Sequence, residues 1–354
     1  MNQKFWSKEL LNLVPYTPGE QPKINDLIKL NTNENPYPPS PKIQALLSTF
    51  NIDDLRRYPD PESSALNKAL AEHHQVDSKN IFIGNGSDEV LAHAFMAFFR
   101  QSTPILMPDI SYSFYSVYCN LYNITAKEIP IDDKFSINLS DYNINNGGII
   151  FANPNAPTGK AITLSEIENL LQKNTESLVI IDEAYVDFGA QSAVKLTKKY
   201  DNCLVVQTFS KSRALAGLRI GYAIGHNNLI AALDRVKNSF NSYPLDMLAQ
   251  AAAIVAIEDD AYFQETLQKI ILTREWTNQQ LLALGFSVIP SKTNFIFARH
   301  NTEDALKIMQ HLRDKKIIVR HFTKDKISHY LRISIGTELQ MQSMVNELKF
   351  FLKL

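Results

Sequence analysis

The sequence lacks several features that would assign it to a specialised class of protein. It has two cysteines, Cys119 and Cys203, which are too few for a disulfide framework and predict a reducing compartment. Its 36 basic and 37 acidic side chains nearly cancel, and no basic stripe or acidic tail indicates a nucleic-acid partner. No stretch reaches the roughly 18 apolar residues of a membrane span, and the first residues lack the apolar core of a signal peptide. These absences predict a cytoplasmic protein without a nucleic-acid or membrane partner.

The chain is long and apolar enough for more than one domain. Its 354 residues are 45% hydrophobic. Residues 1–40 are rich in turn formers and predict an extended arm, with a first helix after Ser40-Pro41. From about residue 60 to 250, short apolar runs alternate with segments of helical periodicity, which predicts a mostly parallel sheet covered by helices. The predicted strands are 81–83, 104–107, 149–152, 178–181, 204–206 and 220–224.

The last third of the chain has a different pattern of predicted helices and strands. A long helical stretch follows Pro244 and runs to about residue 285, with a break expected near Asp259-Asp260. Strands predicted at 294–297, 317–320 and 330–334 then alternate with helices near 303–314 and 338–352. We therefore divide the chain into an arm (1–40), a large domain (41–255) and a small α+β domain (256–354).

Three of the predicted strands of the large domain end in polar residues. Lys211 follows strand 204–206, Asp182 ends strand 178–181, and Asn155 lies in the turn after strand 149–152. Open α/β sheets bind ligands at the carboxyl ends of their strands, so we expect these side chains to share one crevice. Burying a charged lysine at the end of such a strand costs free energy unless the charge interacts with a ligand or the pKa of the amine is lowered.

This combination is typical of pyridoxal phosphate chemistry. That cofactor needs a lysine to hold it as an imine, a carboxylate beside its ring nitrogen, and an anion site for its phosphate. Lys211 and Asp182 could fill the first two roles, while Tyr185 and Asn155 could donate hydrogen bonds to the phenolate oxygen. For the phosphate we predict the glycine-containing turn that opens a helix after strand 81–83, together with two residues near Lys211. These phosphate ligands are Gly86, Ser87, Asp88, Ser210 and Arg219.

Each of these features has another interpretation when it stands alone. Lys211 could be a surface lysine, and Asp182 could be the polar end of a strand or a helix cap. Residues 153–159 could form an ordinary proline turn, and Tyr112 and Tyr115 could be core aromatics. Their joint order and spacing favour the cofactor interpretation.

The same segments resemble a known family. The motifs NPNAPTG (153–159), DEAY (182–185) and TFSK (208–211), with Arg219, resemble the fold-type I aminotransferases of classes I and II. Residues 14–19, 30–36, 57–61 and 331–337 resemble the branch of that family that transaminates histidinol phosphate. One departure is Ala156, where many relatives have a second asparagine. We expect little effect, because Asn155 is the matching cofactor ligand.

The resemblance implies a fold, a cofactor and a set of roles. It implies a seven-stranded, mostly parallel sheet with a smaller α+β domain, and a homodimer whose active site is shared between subunits. It implies that Lys211 forms the imine, that Asp182 pairs with the ring nitrogen, and that Tyr185 and Asn155 bind the phenolate oxygen. The remaining implied roles are Tyr112 stacking on the ring, Tyr58 reaching the phosphate of the partner subunit, Arg332 binding the glutamate carboxylate, Arg320 binding the substrate phosphate, and Tyr16, Glu34 and Asn155 contacting the substrate. No metal ligand is among them.

The implied reaction is transamination between L-glutamate and imidazole-acetol phosphate, giving 2-oxoglutarate and histidinol phosphate in histidine biosynthesis. An aromatic amino-acid aminotransferase of the same branch is one alternative. A pyridoxal phosphate-dependent decarboxylase of a phosphorylated amino acid is another. A cofactor-binding regulator without catalysis is disfavoured, because the sequence has no basic helix–turn–helix segment.

Overall fold

Two β-sheets organise the chain. The computed structural model describes residues 4–23 and 25–354, so residues 1–3 and 24 of the predicted arm lie outside the described residues. The strands of the described chain are β1 (Ile28–Leu30), β2 (Ile81–Asn85), β3 (Ile105–Pro108), β4 (Ala126–Ile129), β5 (Ile149–Ala152), β6 (Val179–Asp182), β7 (Cys203–Thr208), β8 (Ile220–Gly225), β9 (Phe286–Ile289), β10 (Phe295–His300), β11 (Ile317–His321) and β12 (Leu331–Ser334).

Helices cover both sheets. They are α1 (Pro41–Thr49), α2 (Ser64–His74), α3 (Gly86–Phe98), α4 (Phe114–Tyr122), α5 (Leu164–Lys173), α6 (Val194–Thr197), α7 (Asn227–Phe240), α8 (Met247–Glu258), α9 (Asp260–Ala283), α10 (Ala305–Asp314) and α11 (Glu338–Leu352). Within residues 4–23 and 25–354, none of them combines the length and apolar character needed to cross a bilayer.

The large sheet has the strand order β2-β8-β7-β6-β5-β3-β4. Strands β3 to β7 pair in parallel, and β8 runs antiparallel to both of its neighbours. Every residue of β5 and β6 is buried, because helices cover both faces of the sheet. Alternate side chains of β5 pack into different hydrophobic clusters on the two faces of the sheet. Ile149 and Phe151 belong to one cluster, and Ile150 belongs to the other. The predicted mostly parallel seven-stranded sheet is confirmed.

Helix α5 illustrates why these segments fold locally as they do. The Thr163 side chain accepts a hydrogen bond from the backbone N–H of Glu166, whose carboxylate accepts from the N–H of Thr163 in return. This capping box satisfies two N–H groups that the first helical turn leaves unpaired. Ile167, Leu170 and Leu171 then form a buried stripe at helical spacing that packs the helix on the sheet.

The small sheet has the order β1-β11-β12-β10-β9. Strand β1 pairs in parallel with β11, and the other pairs are antiparallel. Helices α9, α10 and α11 contribute apolar side chains to its core. Since β1 comes from the N-terminal segment, the chain crosses between the sheets twice, once between β1 and β2 and once between β8 and β9.

The long helical stretch is broken where the sequence predicts. Helix α8 ends at Glu258 and α9 begins at Asp260. The carboxylate of Asp259 between them accepts hydrogen bonds from Ser40 Oγ and, at 2.7 Å, from Lys42 Nζ, which ties the start of α1 to this junction. The predicted domain boundary at residue 255 falls within α8 and stays a prediction.

Strands β1, β4 and β9 have no counterpart among the predicted strands. They are three or four residues long and lie at the edges of their sheets, where little apolar surface is needed. In β4, for example, Lys127 and Glu128 are exposed and interrupt any apolar run. Two short elements lie within the predicted extended arm. Residues 28–30 form β1, and residues 9–12 form a 3-10 turn.

Candidate active site

A cavity of about 880 Å³ lies between the carboxyl ends of the central large-sheet strands and the small sheet. Its wall combines the N-terminal segment, the loop after β3, the turns after β5, β6 and β7, and strands β11 and β12. The predicted site residues that line it are Tyr16, Asp88, Tyr112, Tyr185, Lys211, Arg219, Arg320 and Arg332. A crevice is present at the strand ends, but of the three side chains expected to share it only Lys211 lines it, whereas Asp182 and Asn155 are buried outside its lining.

Lys211 lies in a turn after β7 that neighbouring residues hold in place. Asn35 Nδ2 donates to the carbonyl oxygens of Lys211 and Ser212, at 3.1 and 3.0 Å. The Ser212 hydroxyl donates to the carboxylate of Asp187. The Lys211 amine lines the cavity 5.7 Å from the centroid of the Tyr185 ring, and it forms no ion pair with any carboxylate of the described chain. It is placed to react with a ligand in the cavity.

Asp182 is buried at the end of β6, next to the strand that leads to Lys211. One carboxylate oxygen accepts from the Tyr115 hydroxyl at 2.8 Å, and the other accepts from the N–H of Ala184 at 3.2 Å. Burial raises the pKa of Asp182 to about 6, although both hydrogen bonds and the charge of Lys211 act in the opposite direction. The group has hydrogen-bond donors but no cation in direct contact among the described residues. A protonated ring nitrogen would supply that charge, so the carboxyl group fits the predicted cofactor.

Tyr185 and Asn155 differ in how they meet the cavity. Tyr185 lines it, and its hydroxyl accepts a hydrogen bond from Asn33 Nδ2 at 2.9 Å. Asn155 is buried behind the wall, where its Nδ2 donates to the Ile110 carbonyl and to Thr158 Oγ1, at 2.9 and 3.1 Å. Both amide hydrogens of Asn155 are therefore engaged, one by the loop after β3 and one within its own turn, and one would have to be released to reach a cofactor oxygen. The role of Asn155 stays a prediction.

Tyr112 forms part of the cavity wall beside the start of α3. Its ring packs edge-on against Tyr115, with centroids 5.6 Å apart, and its hydroxyl donates to Asp88 Oδ1 at 2.9 Å. The ring faces the cavity from the same side as Asp88 and Arg219. Its predicted stacking on a cofactor ring stays a prediction.

The predicted phosphate residues converge at the start of α3. Arg219 Nη2 donates to Asp88 Oδ2 at 2.9 Å, and Arg219 Nη1 donates to Ser210 Oγ at 3.4 Å. The residue before the helix makes no side-chain cap, so the first N–H groups are available to an anion. The Asp88 carboxylate already accepts hydrogen bonds from Arg219 and Tyr112. The backbone N–H of Asp88 is therefore the group that would bind a phosphate.

Two glycines allow the start of α3 to lie close to Arg219 and to β8. Gly86 has a φ of 80°, and a Cβ there would lie 2.6 Å from Arg219 Nη2. A Cβ on Gly221, in β8, would lie 2.2 Å from the backbone nitrogen of Ser87. The helix start and β8 can therefore touch only if residue 221 lacks a side chain, and glycine at 86 allows the positive φ and the close approach of the Arg219 guanidinium group.

Two arginines occupy the small-sheet side of the cavity. Arg320 and Arg332 are paired across β11 and β12. Arg332 Nη2 donates to the Asn31 carbonyl at 2.9 Å, whereas its Nε has no hydrogen-bond partner among the described residues. Burial lowers the pKa of Arg332, and the positive charge of Arg320 acts in the same direction. A cationic pair with an unused donor is suited to bind an anionic substrate group.

Three predicted residues of the N-terminal part have different positions. Tyr16 lines the cavity and packs on Phe114, with ring centroids 4.7 Å apart. Glu34 does not line it, and its carboxylate pairs with Lys29 Nζ at 2.7 Å. Tyr58 is 79% exposed, outside the cavity of its own chain. The structure therefore brings Tyr16 to the site and does not bring Glu34 or Tyr58 there.

Two residues that touch the predicted site residues were not predicted to do so. Tyr115, for which the sequence leaves a core position open, is a core residue, and its hydroxyl also donates to Asp182. Asn33 lies in the 30–36 segment, whose pattern predicts no role for it, and its Nδ2 donates to the Tyr185 hydroxyl. The only available signal was the proximity of each to a motif, because both contacts join segments far apart in the sequence.

Comparisons with known proteins agree with this geometry. The model of the aminotransferase class I and II family matches residues 25–348. The histidinol-phosphate aminotransferase of Acinetobacter baylyi is 56% identical over 352 residues, covering 99% of this chain and 98% of its own. Histidinol-phosphate aminotransferase 1 of Hydrogenovibrio crunogenus is 57% identical over 350 residues, covering 99% and 98%. The solved histidinol-phosphate aminotransferase of Sinorhizobium meliloti, in complex with pyridoxal-5'-phosphate, has a TM-score of 0.83 at 24% identity and covers 92% of this chain and 91% of that one; this likeness shows the fold alone.

The glycine in β8 provides a test of the predicted phosphate site. In a Gly221→Ala variant, the new Cβ would meet backbone atoms of Gly86 and Ser87 and push the start of α3 away. We expect the free energy of unfolding to fall by about 1–3 kcal/mol, as for other overpacked sites. We also expect weaker binding of pyridoxal phosphate, measured by titration of its absorbance.

Gly217→Ala is the matched control, because a Cβ at Gly217 would meet nothing within 4 Å. It should leave both stability and cofactor binding nearly unchanged. Normal cofactor affinity in Gly221→Ala would show that the phosphate binds elsewhere.

Proposed function

This chain belongs to the class I and II aminotransferase family, and from that membership we propose that it is a pyridoxal phosphate-dependent histidinol-phosphate transaminase. L-glutamate gives its amino group and leaves as 2-oxoglutarate, and imidazole-acetol phosphate then receives the group to become histidinol phosphate. The reaction belongs to histidine biosynthesis. The observation that carries the proposal is one cavity lined by Lys211 at the large sheet and by Arg320 and Arg332 at the small sheet. The full-length relatives at 56% and 57% identity support the choice of substrate.

The residues at the large-sheet side would hold the cofactor. When bound, pyridoxal phosphate supplies a sink for the electrons released as the α-proton of the substrate leaves. Asp182 would keep the ring nitrogen protonated, with Tyr115 orienting the carboxylate. The start of α3, with Ser210 and Arg219, would bind the phosphate.

Lys211 would have two successive roles at the cofactor. Its amine would first hold the cofactor through its aldehyde carbon. Once displaced by the amino group of the substrate, the same amine would take the proton from the substrate Cα. Its backbone is fixed by Asn35, and its side chain faces open space in the cavity. Lys211 can therefore move between these positions without a change in the fold.

The two arginines would let one pocket serve both substrates. Glutamate presents a carboxylate to the pocket in one stage, and imidazole-acetol phosphate presents a phosphate in the other. A guanidinium group can donate two parallel hydrogen bonds to either. Arg332, with its unused Nε, is suited to the carboxylate, and Arg320 is suited to the phosphate. Tyr16 and Glu34 would contact the substrate from the N-terminal segment, which for Glu34 requires release from Lys29.

We further propose that the enzyme is a cytoplasmic homodimer with a shared active site. Tyr58 stacks on Tyr243, with ring centroids 4.6 Å apart, and neighbouring segments expose Ile52, Leu55 and Phe240. Exposed apolar groups of this kind mark interaction surfaces. A second copy would cover them and place Tyr58 near the cofactor phosphate of its partner. Buried, unpaired Cys119 and Cys203 are compatible with a reducing compartment.

The role of Lys211 can be tested directly. A Lys211→Ala variant should lose at least about 10³-fold in kcat, because Lys324, the other lysine among the described residues that line the cavity, is engaged by the Asp109 carbonyl oxygen. It should also lose the visible absorbance that a lysine-bound cofactor gives. Lys79→Ala serves as the control and should retain both, because Lys79 is an exposed lysine that pairs with Asp77. Turnover near the wild-type rate in Lys211→Ala would overturn the assignment of roles.

The substrate can be tested by competition between acceptors. The kcat/KM for imidazole-acetol phosphate should exceed that for phenylpyruvate by about 10- to 100-fold, since charge-assisted hydrogen bonds to the phosphate each contribute about 1.5–3 kcal/mol. Arg320→Ala should remove most of this preference and leave phenylpyruvate nearly unaffected. Arg299→Ala, outside the cavity, should change neither value.

Two results would favour the alternatives. Equal or faster turnover of phenylpyruvate would identify an aromatic amino-acid aminotransferase. Release of carbon dioxide without formation of 2-oxoglutarate would identify a decarboxylase.

A further inference from the structure

Asn33 connects the two sheets at the cavity. It lies three residues after β1, is 2% exposed, and has a left-handed backbone with a φ of 56°. All of its polar groups are engaged. Its backbone N–H donates to Ser334 Oγ at 2.8 Å, and its carbonyl accepts from Asn294 Nδ2 at 2.9 Å. Its side chain accepts from Ser334 Oγ at 2.9 Å and donates to the Tyr185 hydroxyl at 2.9 Å.

The direction of the hydrogen bond to Tyr185 follows from this network. The backbone N–H of Asn33 can only donate, so Ser334 Oγ accepts from it and has its own hydrogen left to give to Asn33 Oδ1. The amide nitrogen of Asn33 then faces Tyr185, whose hydroxyl oxygen accepts. Since that oxygen accepts from Asn33, the hydroxyl hydrogen of Tyr185 is left to be donated in another direction. Tyr185 lines the cavity beside Lys211.

The partners of Asn33 belong to different parts of the fold. Ser334 ends β12, and Asn294 precedes β10, so both lie in the small sheet. Tyr185 follows β6 in the large sheet. A shift of the small sheet would therefore move the amide that directs the Tyr185 hydroxyl.

We propose that Asn33 is a positioning residue that turns the Tyr185 hydroxyl hydrogen toward the phenolic oxygen of the cofactor, and so links the reactivity of the cofactor to the docking of the small sheet. The inference rests on the cofactor of the proposed function and not on its substrate. A hydrogen bond to that oxygen stabilises its negative charge, which makes the link between Lys211 and the cofactor easier to deprotonate. Loss of Asn33 should make the link hold its proton to higher pH.

The test is a spectrophotometric pH titration of the holoenzyme without substrate. Asn33→Gly removes the side chain, while glycine accepts a φ of 56° without strain. The pH midpoint of the visible band should rise by about half a unit to one unit, the size expected for one lost hydrogen bond. Asn123→Gly is the matched control, because Asn123 is exposed and has a φ of 54°. It should leave the midpoint unchanged.

A double-mutant cycle separates this role from a merely structural one. Tyr185→Phe should raise the midpoint by itself, and adding Asn33→Gly to it should cause no further shift. Asn33→Asp keeps the shape and the acceptor for Ser334 but cannot donate to Tyr185 unless protonated, so it should raise the midpoint even if Asn33→Gly folds poorly.

The inference is overturned if Asn33→Gly and Asn33→Asp leave the midpoint unchanged, or if Asn33→Gly shifts it equally in the Tyr185→Phe background. Because no substrate is present, an error in the proposed substrate would leave this titration unaffected. A wild-type protein without a titrating band would overturn the cofactor assignment together with this inference.

Discussion

The buried carboxyl group of Asp182 is the constraint on which the site depends. Burial raises its pKa to about 6, and the described residues give it two hydrogen-bond donors but no cation in contact. A carboxylate in such a place is stabilised by a ligand that carries positive charge at that point. Strand β7 lies beside β6 in register, with Asp182 opposite Val206, and leads to Lys211. The fold thus fixes the carboxylate at the end of β6 and the amine in the turn after the neighbouring strand, and in the proposed enzyme a protonated heteroaromatic ring with an aldehyde would bind between them.

The rest of the cavity depends on the contact between the two sheets. The small sheet contributes Arg320 and Arg332, two positive charges that repel each other until an anion binds. The N-terminal segment joins the sheets, since β1 belongs to the small sheet while Asn35 holds the turn of Lys211 and Asn33 holds Tyr185. In the proposed enzyme, recognition of the substrate and reactivity of the cofactor would therefore depend on the same docked arrangement.

The sequence predicted the parts of this structure that carry a local signal. Apolar runs identified the central strands, because strands buried on both faces are predominantly apolar. The motifs around Lys211 and Asp182 identified the centre of the site for the same reason: their polar residues follow such runs. Edge strand β4 was missed because Lys127 and Glu128 face solvent. The bond from Asn33 to Tyr185 joins residues 152 positions apart and left no local pattern, and the ion pair of Glu34 with Lys29 could not be anticipated from its motif.

The most direct test of the central claim is a crystal structure of this protein with pyridoxal phosphate bound. We predict continuous density from Lys211 Nζ to the cofactor, the ring nitrogen within hydrogen-bonding distance of the Asp182 carboxylate, and the phosphate at the start of α3. A cofactor attached to another lysine, or a ring nitrogen that faces away from Asp182, would contradict the account.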